Sequence, residues 1–109
     1  MASIWWDDEW KQISTTGDTT QSAYLQGVKQ GMTDLGFTNI YTDVGYVGGF
    51  KNDAEVTVQY VSSGKTGNWP DGKPWVETLR QVLCAAPDEA SAQALTETVV
   101  TMVNGIAFL

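Results

Sequence analysis

The chain has 109 residues, 42% hydrophobic and 11% aromatic, with 13 acidic against 6 basic residues and a formal charge of −7. Its length fits a single domain, 1–109, and its apolar content supports a core and excludes disorder. Nucleic acid and anionic membrane surfaces are excluded as partners, because phosphate binding rests on Lys and Arg displacing counterions and no basic cluster occurs.

The opening run Ile4-Trp5-Trp6-Asp7-Asp8-Glu9-Trp10 concentrates large rings and fixed negative charge. As a helix, Trp6, Trp10 and Ile13 would share a face. As a strand, Trp6, Asp8 and Trp10 would, and the β-propensity of Ile and Trp favours a strand ending near Thr15.

A helix follows. Asp18 with Gln21 is a capping-box variant, and Leu25, Val28, Met32 and Leu35 form the apolar stripe. Gly36 is the left-handed stop, with Phe37 making the closing contact. Gly27 and Gly31, one turn apart, would let another backbone approach closely.

Residues 38–47 read as a strand, 48–53 as a glycine-rich hairpin connection, and 54–61 as the clearest strand. Ala54, Val56, Val58 and Tyr60 occupy its apolar face; the other face is mostly polar and meets water or a partner. Residues 62–73 read as the longest loop, with turn chemistry at Trp69-Pro70-Asp71-Gly72 and an exposed tryptophan. Periodicity in 75–86 favours a helix, whereas the exit into Pro87-Asp88 favours a strand feeding a helix; strand is the reading adopted.

The last helix starts at Asp88 and runs to about Val103. Leu95, Val99, Met102 and Ile106 form its stripe, Glu89, Gln93 and Glu97 its wet side, and Asn104-Gly105 its stop. A further strand over 106–109 would complete the chain. The sum is an α+β fold: a small antiparallel sheet with two helices packed on one face, a ferredoxin-like sandwich or a relative of it.

The stretch from Val82-Leu83-Cys84-Ala85-Ala86-Pro87-Asp88-Glu89-Ala90 to Leu95 is similar to the first strand-to-helix passage of CutA-type proteins, which are trimeric ferredoxin-like domains. There the passage lies near the N-terminus and here near the C-terminus, so a permuted order would be needed to reconcile the two. The resemblance agrees on fold and carries over no site residue.

Catalytic and metal motifs are scarce. With no histidine and only Cys84, zinc and copper sites lack ligands, and Cys84 among Leu83, Ala85 and Ala86 reads as a small buried hydrophobe. Asp7, Asp8 and Glu9 lack the alternating spacing of a calcium loop, and the glycines of 45–49 lack the lysine and helix of a phosphate cradle. No cofactor or metal is expected.

The remaining candidates are two sets. Trp5, Trp6, Trp10, Trp69 and Trp75 suit a partner- or ligand-binding surface, since tryptophan is enriched at interface hot spots; they would converge if the 62–73 segment folded over the N-terminal strand. Asp43, Tyr46 and Glu55, on adjacent β segments, suit acid–base chemistry.

The leading expectation is a non-catalytic, homo-oligomeric interaction or assembly module that presents a Trp-rich acidic surface to itself or another protein. One alternative is a small-molecule-binding protein or enzyme with a Trp-lined pocket and carboxylate or tyrosine acid–base groups. Another is an acidic inhibitor or immunity-type protein binding a basic partner. Without an N-terminal signal pattern or an apolar run of about 20 residues, a cytoplasmic, non-membrane protein is expected.

Overall fold

The structure, a computed structural model, describes residues 2–14 and 21–106. Five strands and two helices succeed one another as β1 (Ser3–Ser14), α1 (Gln21–Asp34), β2 (Thr38–Asp43), β3 (Tyr46–Lys51), β4 (Ala54–Asn68), β5 (Pro74–Ala86) and α2 (Glu89–Asn104). This is an α+β fold with one antiparallel sheet of order β1-β5-β4-β3-β2. Strands β2 to β5 form a meander, and α1 carries the chain from one edge strand, β1, to the other, β2.

The opening run is a strand, and β1 pairs with β5 along its whole length, from Ser3 opposite Ala86 to Ser14 opposite Trp75. Residues 75–86 are also a strand. The segment 38–47 is not one strand but two, because Val44-Gly45 turns the chain. Gly45 takes φ of +83° and the Asp43 carboxylate accepts from Val44 N at 2.7 Å. The hairpin connection shrinks to Asn52-Asp53, with Asn52 at φ +55°, so Gly48 and Gly49 lie inside β3.

The segment 62–73 is not a long loop either. Pairing with β5 carries β4 on to Asn68, and a bulge between Ser62 and Thr66, with Gly64 at φ +87°, absorbs the irregular register. Only 69–73 turns: Gly72 N donates to Trp69 O at 2.8 Å, Gly72 sits at φ +86°, and Trp69 N donates to Lys73 O at 2.8 Å. The molecule is elongated in consequence, 49 × 22 × 21 Å.

Both helices end where their residues dictate. In α1, Phe37 N donates to Met32 O and Gly36 N to Thr33 O, each at 3.0 Å, with Gly36 at φ +92°. Lys51 Nζ adds a donor to Leu35 O at 2.7 Å. The expected cap at Asp18 and the expected strand over 106–109 fall on positions outside the described residues, apart from Ile106, which is not in a strand. At α2, Asp88 is the N-cap, its side chain accepting from Ser91 N at 2.8 Å.

One buried cluster joins these elements. Ala54, Val56, Val58 and Tyr60 of β4 and Val82, Cys84 and Ala86 of β5 alternate along their strands and so share a face. They pack with Tyr24, Val28 and Met32 of α1 and Ala92, Val99 and Val103 of α2. Each fully buried valine contributes on the order of 1.5–3 kcal/mol. The buried stripe of α2 is therefore Ala92, Thr96, Val99 and Val103, one position round from the expected Leu95, Met102 and Ile106, which are only partly buried. Thr96 fits this stripe because its hydroxyl donates to Ala92 O at 2.8 Å. Gly31 and Gly27 receive side chains rather than a backbone: a Cβ at Gly31 would collide with Met102, and Ile106 lies over Gly27. Cys84 is fully buried, and burial pushes its thiol pKa up.

Candidate functional site

Register fixes which side chains share the second face of the sheet, opposite the buried valines. Along β1 they are Ile4, Trp6, Asp8, Trp10 and Gln12, paired with Ala85, Leu83, Gln81, Leu79 and Glu77 of β5. Farther across come Glu55, Thr57, Gln59 and Val61 of β4, then Tyr46, Gly48 and Phe50 of β3, and Thr38, Tyr41 and Asp43 of β2. Ile4, Trp6 and Trp10 are 55%, 59% and 58% exposed, a large apolar area to leave in water. Asp8, Asp43, Glu55 and Glu77 supply the charge, and the register sends Lys11, Lys51 and Arg80 to the other face.

The tryptophans divide. Trp5 points to the core side and packs, half-buried, against the hydrophobic cluster. Trp6 and Trp10 flank Asp8 on the second face. Trp69 and Trp75 meet each other, with ring centroids 6.2 Å apart, at the tip of the β4–β5 ribbon, where Trp75 lies over Gly67. Roughly 26 Å of strand, at about 3.3 Å per residue, separate Trp75 from Leu83, the partner of Trp6. The five rings do not converge, because the 62–73 segment extends the sheet instead of folding back over β1.

Asp43, Tyr46 and Glu55 do come near one another, through a residue not singled out from sequence. Tyr46 Oη donates to Asp43 Oδ2 at 3.3 Å, and Tyr41 Oη donates to Glu55 Oε2 at 2.6 Å. The Tyr41 and Tyr46 rings meet edge to face at 6.2 Å. Both phenols are held protonated. Burial and then the Glu55 hydrogen bond and charge push Tyr41 up to about 12, and the charge of Asp43 chiefly raises Tyr46. They are hydrogen-bond donors at neutral pH, not bases. The β-propensity of Tyr41 places it in a strand, but its reach to Glu55 depends on the strand order.

A second polar centre lies on the core side and is invisible to pattern reading. Arg80, only 6% exposed, places Nη2 2.8 Å from Asp7 Oδ1 and 3.1 Å from Glu9 Oε2. Two acids of the opening run thus serve the fold, since Asp7 and Glu9 neutralise a buried guanidinium while Asp8 faces away from it. Beside Arg80 is a chamber of about 20 Å³ lined in part by Glu9, Thr78 and the stacked rings of Tyr24 and Tyr60, whose centroids are 4.2 Å apart. That volume admits a water-sized molecule and no substrate. Desolvation raises the Tyr24 and Tyr60 phenols.

Among the described residues no three Cys, Asp or Glu side chains gather to hold a metal ion, and no helix is long and apolar enough to cross a membrane. No protein-family model matches the chain, and no match is found among curated proteins.

Proposed function

We propose that the chain is a non-catalytic binding module, an α+β sandwich with both helices layered on one face of the sheet and the other face given to a basic protein partner; its four-strand meander departs from the ferredoxin-like β-α-β-β-α-β order. The observation that carries this reading is the composition of that face: Trp6 and Trp10 exposed beside Asp8, with Glu55, Glu77 and Asp43 further across, while Lys11, Lys51 and Arg80 pair on the other face. Exposed tryptophan supplies anchoring area, and like-signed charge steers an oppositely charged partner.

A second copy is a poorer occupant of this face. Two-fold pairing would set the same acids against each other, and along the edge of β1 that has no strand partner among the described residues it would bring together two Asp7-Asp8-Glu9 runs, in each of which Arg80 offsets one charge of three. Charged residues in mid-edge also discourage strand-to-strand association. The acid–base alternative through Asp43, Tyr46 and Glu55 is weaker, since Tyr46 holds its proton more tightly than a free phenol.

The test is a titration of the protein with a peptide that alternates lysine and valine and matches β1 in length, followed by tryptophan fluorescence. Saturable binding is expected, weakening steeply as salt is raised. It should be lost in a Trp6→Ala/Trp10→Ala double variant and absent with glutamate in place of lysine. Binding indifferent to the double variant would overturn the reading. So would a stable dimer in sedimentation that the same two substitutions dissociate, since that result gives the face to a second copy.

A further inference from the structure

Tyr41 bonds to Glu55 although β3 runs between their strands. Two strand spacings are about 9.6 Å, so the phenol must lie across β3 to make the contact. It does so over Gly48, its register partner, where a Cβ would collide with Cζ and Oη of the ring. With one side of the ring against Gly48, the other is turned away from the sheet. Tyr46 and Phe50, two residues to either side of Gly48 on the same face of β3, flank the ring. Tyr46 stands at 80° to it with centroids 6.2 Å apart, and Phe50 at 49° and 6.0 Å.

The result is a shallow tray with an aromatic floor and two aromatic sides. Two carboxylates border it: Asp43 beside Tyr46, and Glu55, whose Oε2 accepts from Tyr41. The lysine at the end of β3 does not neutralise them. Lys51 is engaged on the core side, with Nζ on Leu35 O and 5.9 Å from the Phe37 ring. Ring faces attract a cation within about 6 Å of their centroids, and adjacent carboxylates select for positive charge.

We infer that Tyr41, Tyr46 and Phe50, with Asp43 and Glu55, form a binding site for a monovalent organic cation: the ammonium or guanidinium head of a Lys or Arg side chain. The source of that cation, a basic partner protein, rests on the proposed function above; the chemistry of the tray does not. Small ammonium ions share the chemistry, and the experiment separates the two sources.

The protein, with its aromatic side chains isotopically labelled, is titrated with tetramethylammonium chloride and with Nα-acetyl-lysine methylamide and its arginine counterpart, against sodium chloride at matched ionic strength. Ring signals of Tyr41, Tyr46 and Phe50 should shift saturably with the organic cations and not with sodium. Glu55→Gln, which keeps an acceptor for Tyr41, should weaken binding about five-fold, and Tyr41→Ala should abolish it. A thermal midpoint measured on each variant separates lost binding from lost folding. Stronger binding of the lysine or arginine derivative than of tetramethylammonium assigns the tray to a side chain; the reverse order assigns it to free ammonium ions. No saturable shift beyond sodium, or equal shifts in Glu55→Gln and wild type, overturns the inference, whatever the lysine–valine peptide does. Conversely, a shift with the small cations sustains the tray even if that peptide fails to bind.

Discussion

Arg80 illustrates how much a single buried residue can impose on its neighbours. Its guanidinium is anchored to β1 by Asp7 and Glu9, whereas Nε and Nη1 are buried and make no hydrogen bond within the described structure. Breaking a buried ion pair from one side costs about 3–5 kcal/mol when the remaining charge stays unpaired. Both carboxylates are nearly half exposed, so solvent screening reduces that figure here. Removing the acids should therefore hurt more than removing the base. Asp7→Asn/Glu9→Gln strands the buried cation and should lower the denaturation midpoint clearly. Arg80→Met fills the same space with apolar atoms and should leave the midpoint unchanged or raised. Urea unfolding of the two variants checks this, and an equal loss in both would contradict the account. None of it is legible in the sequence, where Arg80 is one basic residue among six.

At the level of elements, local chemistry is the better guide. Asp88 caps α2 as its position after Pro87 implies, accepting from Ser91 N at 2.8 Å and Ser91 Oγ at 2.9 Å. Those bonds hold the Asp88 carboxyl below its ordinary pKa, the backbone N–H most of all. A lowered pKa stabilises the fold above the unfolded value of 3.8, and that stability is lost as the pH falls through the folded value. Asp88→Ala should lower the thermal midpoint at neutral pH. Asp88→Asn, still a good cap, should restore most of it while flattening the acid dependence. Melting curves across the acid range decide this.

Strand boundaries are less legible than caps. Residues 62–68 carry Gly, Ser and Asn, which signal a loop locally; pairing with β5 satisfies their backbone groups and makes them strand. The split at Val44-Gly45 is hidden for the opposite reason, since one glycine within a strand-like run marks a bulge as readily as a turn.

The four tyrosines act on the whole molecule. Each has its phenol pKa raised above 10.0: Tyr24 and Tyr60 chiefly by burial, Tyr41 by burial and then Glu55, Tyr46 chiefly by the charge of Asp43. A raised folded pKa means that the unfolded chain releases these protons first. The stability they contribute is complete below pH 10.0 and falls away above it, Tyr41 giving out near pH 12. Unfolding free energy measured from neutral to alkaline pH should decline from pH 10.0 upward, with native phenolate absorbance lagging behind that of the unfolded chain. Tyr41→Phe should shrink the decline, and native tyrosines titrating like free ones would refute the assignment. The same scale decides the binding surface, because the strand order gathers four acids onto one face and sends Lys11, Lys51 and Arg80 to the other.

The sequence alone determined the class of the fold, the exits of both helices, the apolar face of 54–60 and the excess of acid. These depend on interactions within a few residues or on composition. Tertiary structure decided the rest. Strand pairing carried 62–68 along β5 and so held Trp69 and Trp75 away from Trp6 and Trp10, turned Asp7 and Glu9 inward onto Arg80, and carried Tyr41 over Gly48 to Glu55. The physical reason is common to all three: a strand's neighbours are set by long-range pairing, and that pairing leaves no periodic trace in the chain.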